Sequence, residues 1–198
     1  MAALAGAPVK TIGVTVAAAR FKGEAILSAQ GLEGGAIYAA GASIRKALRA
    51  GAPALIHLDL QPQREAAAMA AKLASRDPRR SLGPWLQKTL GLSAPAARLI
   101  AVMAETREPE ALGRLIKAFP VAVRGMAPIA RAISTAGGLN WDEVDQRMML
   151  KRRPGVFVAG DMLDWVAPTG GYLLQACLAT GRAAGQAAAA FAQDKAAN

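Results

Sequence analysis

The sequence predicts a mixed α/β fold (α+β in its segregation), and three observations predict it. Apolar and polar residues alternate at period two in Val9–Val16, as in a strand with one buried face. Between positions 63 and 118 the apolar residues recur at three- and four-residue spacing, the mark of helices. From 119 onward short apolar runs alternate with glycine turns, before a closing alanine-rich helix. A chain of 198 residues, 53% of them apolar and 19% charged, suits one ordinary domain or a compact body with a subdomain, globular rather than disordered. Aromatic residues make up only 5%, so the core must be built from small side chains.

Taken in order, Val9–Val16 and Gly23–Leu27 are expected as strands. Gly31-Leu32-Glu33-Gly34-Gly35 opens a helix over Ala36–Ala50, closed by Gly51-Ala52-Pro53, and Ala54–Leu60 is a further strand. Helices follow at Gln63–Ser75, Ser81–Leu90, Pro95–Glu105 and Glu108–Ala118. Ser93 before Ala94-Pro95 suits a helix start, since proline fits the first turn. Leu99, Ile100, Met103, Leu112, Leu115 and Ile116 lie at helical spacing and read as core. Val121–Val123 is a short strand, Ile133–Gly138 an extended segment ending in a glycine turn, Gln146–Leu150 and Val156–Ala159 strands, and Tyr172–Ala192 the last helix. No internal repeat stands out, nor any linker composition between independent domains.

Composition narrows the chemistry. Cys177 is the single cysteine, which rules out an internal disulfide and any multi-cysteine metal site and makes a reducing cytoplasm the default. His57 is the single histidine, set in a strand-like alternation, so it reads as structural and a histidine-based zinc centre has no ligands. No serine, cysteine or paired-carboxylate catalytic set can be assembled. Met1–Ala7 is apolar but short and without a preceding basic residue, unlike a signal peptide, and no apolar run reaches membrane-spanning length, so no membrane is expected. The net charge of +10 is spread over separated clusters such as Arg45-Lys46-Arg49, Arg76-Arg79-Arg80 and Lys151-Arg152-Arg153. These are not interleaved with aromatics, so a solvated basic surface is favoured over nucleic acid.

One stretch carries chemistry. Val156-Phe157-Val158-Ala159 reads as a strand buried on both faces, as in parallel sheets, with Gly160-Asp161 at its carboxyl end. Open α/β sheets place ligands beyond their strand tips. Gly160 would let a ligand approach the backbone, and Asp161 would accept from hydroxyl groups. Pro168-Thr169-Gly170-Gly171 then leads into a helix whose first turn has free amides and partial positive charge. A carboxylate for hydroxyls beside a bare helix mouth for a negative group suits a ribityl-flavin. The same spacing also occurs as ordinary turn chemistry, and residue pattern alone leaves both open.

The segments GLEGGAIYA, RAISTAGGLNWDEVDQRMMLKRRPGVFVAGDMLDW and APTGGYLLQACLATGRAAG resemble the carboxyl-terminal half of the BaiN-like NAD(P)/FAD-dependent oxidoreductases, some of them aminoacetone-oxidase-like. The resemblance runs from about Val9 onward. It implies a partial two-dinucleotide-binding-domain flavoprotein fold with an inserted β-barrel-like and helical subdomain, lacking the amino-terminal Rossmann βαβ unit. Residues 1–60 would be insert strands plus one helix, 61–120 a helical insert, and 121–198 the carboxyl-terminal part of the FAD-binding domain. It implies FAD as cofactor and NAD(P)H as redox partner. It places Gly160 and Asp161 near the ribityl chain and pyrophosphate, Thr169, Gly170, Gly171 and Tyr172 at the helix mouth under the isoalloxazine, and Gly137 and Gly138, after Thr135-Ala136, in a turn near the flavin.

The amino-terminal Gly-x-Gly-x-x-Gly that would hold the ADP half is missing, since no two glycines here are separated by one residue. The expectation is therefore a partial protein that binds FAD weakly or not at all by itself and regains affinity with a complementary amino-terminal half. Two alternatives stand beside it: a non-catalytic basic module binding nucleic acid or protein through the arginines of 63–118, and an inactive remnant. Cys177 reads as a small buried residue rather than a redox group. Tyr172 and Trp165 read as pocket walls or packing residues, Asp164 as a loop acid, and Arg182 as a solvated basic residue rather than a phosphate ligand.

Overall fold

The computed structural model describes residues 6–197 apart from Ala52, Arg76, Pro78 and Ile133. Most of the opening apolar stretch, Ala52 of the turn after the first helix, Arg76 and Pro78 of the basic loop, and Ile133 at the head of the expected extended segment thus lie outside the described residues. The chain divides into two compact units, one ending at Met126 and one beginning at Ala127. The irregular stretch at 124–128, with one glycine and one proline, joins them.

The first unit is built on β1 (Ala7–Val16), β2 (Ala19–Leu27), β3 (Leu32–Glu33), β4 (Ala54–Asp59) and β5 (Phe119–Val123). They pair antiparallel in the order β3-β2-β1-β4-β5, an open sheet. The expected alternation in β1 conceals a phase problem: Val9 is odd, whereas Ile12, Val14 and Val16 are even, yet all four are buried. A bulge between Val9 and Ile12 resolves it, with Thr11 at φ 54° absorbing the extra residue.

The expected opening of the first helix at Gly31–Gly35 needs correction. Leu32–Glu33 pairs with Ile26–Leu27 as β3, and α1 (Gly35–Arg49) begins after it. Gly34 is required there. Its φ is 107°, and a Cβ would lie 2.8 Å from the Glu24 carbonyl oxygen of β2. β2 also starts earlier than expected, at Ala19, because it forms a tight hairpin with β1 across Ala17-Ala18.

Four helices follow: α2 (Ala66–Ala74), α3 (Leu82–Leu90), α4 (Ala94–Met103) and α5 (Pro109–Lys117). All four agree with the sequence pattern to within three residues at either end. Ser93 caps α4 by accepting from the Ala96 amide at 3.4 Å, with Pro95 in the first turn. α2 packs on α5 and α3 on α4. Met69, Leu73, Leu86, Leu90, Ile100, Leu112 and Ile116 join Ile12, Val14 and Ile56 of the sheet in one apolar cluster. Each such side chain contributes about 1.5–3 kcal/mol on burial. Lys117 closes this unit: its Nζ lies 2.6 Å from Asp59 Oδ2 and donates to the carbonyls of Gln61 (3.1 Å) and Arg64 (3.0 Å). His57 sits inside β4, opposite Thr15 and Pro120.

The second unit is built on α6 (Tyr172–Ala196), longer than expected by four residues. Here two strand expectations fail. Gln146–Leu150 is a turn with single bridges, because Asp145 Oδ1 accepts from the amides of Arg147 (2.9 Å) and Met149 (2.8 Å) and bends the chain. Val156–Ala159 is not a parallel strand buried on both faces. Phe157 makes one antiparallel bridge to Met149, Val158 is buried, and Val156 is 44% exposed. The reason is pairing: no strand lies along its other edge among the described residues. A small core of Val144, Met148, Val158, Leu163 and Ala184 holds the unit together.

Candidate functional site

The segment 155–160 runs along α6 in the opposite sense to the helix. At its start, a Cβ on Gly155 would lie 3.2 Å from the Phe191 ring, and Phe157 meets Phe191 edge to face at 5.9 Å. At its end, a Cβ on Gly160 would lie 3.4 Å from Cys177 Sγ. Five residues have thus travelled fourteen positions back along the helix, toward its amino-terminal mouth. Gly160–Met162 then forms a single 3-10 turn, and the loop to Gly171 leads into α6.

Gly160 (φ 73°) is fixed from the helix. Its amide donates a 3.0 Å hydrogen bond to the Thr180 hydroxyl, which itself donates to the Ala176 carbonyl at 2.7 Å. Sequence reasoning missed Thr180. The available signal was a lone hydroxyl in an alanine-rich helix, but its partner lies twenty residues away.

Asp161 lies beside Thr135, whose hydroxyl donates to Oδ2 at 3.4 Å. Two segments singled out separately in the sequence, Thr135–Gly138 and Gly160-Asp161, are therefore neighbours. The other oxygen, Oδ1, is sealed from solvent and has no hydrogen-bond partner among the described residues. A buried acceptor left in that condition costs about 1–3 kcal/mol, more if charged. Native proteins rarely carry such a group without a use for it.

The glycines divide by role. Gly138 (φ 148°) packs backbone to backbone: a Cβ there would lie 2.5 Å from the Met162 carbonyl oxygen, and Leu139 bridges Leu163 in parallel sense beside it. That close approach accounts for Gly138 without a ligand. Gly137 (φ 90°) faces open space. Gly171 (φ 88°) is the cap residue of α6; a Cβ would meet nothing within 4 Å, and no side chain caps the helix. Gly170 (φ 103°) has only the Tyr172 ring near it, and Thr169 and Tyr172 are exposed. The mouth of α6 is thus bare, with its first-turn amides uncovered by side chains. From Gly171 to Cys177, the level at which Gly160 is anchored, is six residues, about 9 Å of helix axis.

Over residues 3–187 the sequence matches the family model of the HI0933-like protein Rossmann domain. The chain belongs to the HI0933-like family. This is a flavoprotein-type, FAD-binding family. In this HI0933-like chain the chemistry available is an acceptor oxygen on Asp161 without a partner among the described residues, able to take a hydroxyl, and uncapped α6 amides, able to take a negative group. The ADP end finds no Gly-x-Gly turn. The doubly wound parallel sheet that gives a Rossmann domain its form is likewise not made by the described residues, whose sheet is antiparallel and whose single parallel contact is Leu139 with Leu163.

Of the remaining candidates, Cys177 is only partly buried, against Gly160, and Trp165, Asp164 and Arg182 are exposed. No cluster of metal-ligating side chains occurs among the described residues, and no helix is long and apolar enough to cross a membrane.

Proposed function

We propose that this HI0933-like chain is the carboxyl-terminal portion of an FAD-dependent oxidoreductase of the BaiN-like type, supplied with hydride by NAD(P)H in a reducing compartment. The observation that carries the reading is Asp161 Oδ1, sealed from solvent and without a partner among the described residues, in the 3-10 turn that follows the segment running back along α6 toward its mouth. In this reading Asp161 accepts from the sugar-alcohol hydroxyls. Thr135 holds the other carboxylate oxygen, and the α6 amides exposed by Gly170 and Gly171 steady negative charge at the ring edge. Bound flavin supplies the two-electron redox step. In this reading a complementary βαβ unit holds the ADP end, and residues 1–60 and 61–120 are insert elements.

The test is an equilibrium titration with FAD, followed by quenching of flavin fluorescence, on the chain alone and in the presence of a polypeptide carrying a Gly-x-Gly-x-x-Gly βαβ unit of the same family. Weak binding alone, tightened at least tenfold by the added unit and lost in Asp161→Ala, is the expected result. Tight stoichiometric FAD on the chain by itself overturns the division of the site. No FAD under either condition overturns the flavin reading.

A further inference from the structure

The first unit holds a cavity that the flavin reading does not use. It is an open groove of about 660 Å³ along α3 and α4. Its walls are mostly apolar, from Leu82, Pro84, Pro95 and Ala101. Two guanidinium groups, Arg98 and Arg107, line it, and no acidic residue does among the described residues. Neither arginine forms an ion pair among the described residues. Arg98 has no hydrogen bond, and Arg107 gives one donor to the Ala104 carbonyl at 3.0 Å, leaving the rest of its fork available.

The first turn of α3 also lines this cavity. Ser81 is its cap residue, yet the Ser81 side chain makes no capping hydrogen bond and the turn holds no acidic residue. The neighbouring start of α4 is satisfied by Ser93. The first turns of both helices line the cavity, α3 through Leu82 and Gly83 and α4 through Ala94 and Pro95, and at α3 the amide donors receive no capping side chain. Uncommitted amides, two unpaired arginines and no opposing carboxylate describe one end of a ligand. Apolar walls describe the other.

We propose that this cavity binds a small amphipathic carboxylate: an acid group held by Arg98, Arg107 and the α3 amides, and an apolar body along α3 and α4. Arginine meets a carboxylate with paired parallel hydrogen bonds, which fixes orientation as well as charge. Apolar walls reject fully polar anions of the same charge.

Octanoate, its neutral counterpart octanol, and inorganic phosphate separate the two halves of the proposal. In a Trp141→Phe, Trp165→Phe background, Trp85 of α3 is the remaining tryptophan and reports locally. Octanoate should bind with one-to-one stoichiometry and perturb Trp85 fluorescence, at least tenfold more tightly than octanol or phosphate. Arg98→Glu and Arg107→Glu should each weaken octanoate tenfold or more and leave octanol unchanged. Both arginines are exposed, and an unaltered unfolding midpoint would show that the fold is intact. Equal binding of octanoate and octanol, phosphate as tight as octanoate, or charge-reversed variants that bind octanoate like the parent would each overturn it. None of these outcomes depends on flavin.

Discussion

The amide of Gly160 donates to the hydroxyl of Thr180, and this one hydrogen bond ties the turn that carries Asp161 to the helix whose mouth the flavin reading requires. A loop turn held only by its own backbone would leave Asp161 free to swing. Thr180 fixes the turn from outside, so its loss should affect ligand affinity more than chemistry. Thr180→Val keeps the shape and removes the acceptor. We expect a loss of roughly 1–2 kcal/mol in stability, faster hydrogen exchange at the Gly160 amide, and weaker flavin binding. Unchanged exchange at Gly160 would show that the bond is not formed in solution.

Asp161 supports a prediction that separates a ligand-binding carboxylate from a structural one. A structural aspartate stabilises the free protein, and its removal costs stability. Here one oxygen is buried without a partner among the described residues, so Asp161→Ala should leave the unfolding free energy unchanged or raise it by up to about 1 kcal/mol, while flavin retention after dialysis falls sharply. Denaturant unfolding of the ligand-free chain measures the first quantity. A loss of 2 kcal/mol or more would make Asp161 a structural residue.

Gly138 and Gly171 should respond differently to the same change. At Gly138 an added methyl collides with the Met162 carbonyl oxygen at 2.5 Å and demands an unfavourable φ, so Gly138→Ala should cost roughly 3 kcal/mol or more. At Gly171 only the φ penalty applies, about 1–2 kcal/mol, because nothing lies within reach of the methyl. Thermal unfolding of the two variants side by side gives the comparison.

Lys117 gathers one carboxylate and two carbonyls at partly buried positions. Lys117→Met retains the stem and removes all three contacts. The expected cost is roughly 2–3 kcal/mol, and it should change little between low and high salt, since a partly buried pair is weakly screened. A loss that vanishes at high salt would reduce the clamp to a surface ion pair.

The helices of the first unit were legible because each has an apolar stripe and is punctuated by Pro, Gly or Ser: Ser93 with Pro95, Gly91, Pro109. The second unit was less so. Val156–Ala159 has the composition of a doubly buried strand, but burial depends on neighbours, and the pairing formed is a single bridge at Phe157. Gln146–Leu150 looked extended because the competing turn is driven by Asp145, one residue outside it. In the candidate site, the order of glycine turn, acid and helix start at Gly160, Asp161 and Gly171 was legible in the sequence, because these residues follow one another along the chain. Thr180 could not, because its bond spans a loop. Gly138 was read as a ligand contact, although a glycine that admits a cofactor and one that admits a carbonyl oxygen look alike in sequence.

The bulge at Lys10-Thr11 has a consequence for inheritance. Upstream and downstream of it the strand keeps opposite parities, and only the surplus residue reconciles them. Losing one amino acid at that point would bring Val9 into phase with Ile12, Val14 and Val16, so that a regular strand would keep all four facing inward. The same deletion after Ile12 would scramble the inward set on which the whole unit is packed. Length variation among related chains should therefore be tolerated at Lys10-Thr11 and purged from Gly13 onward.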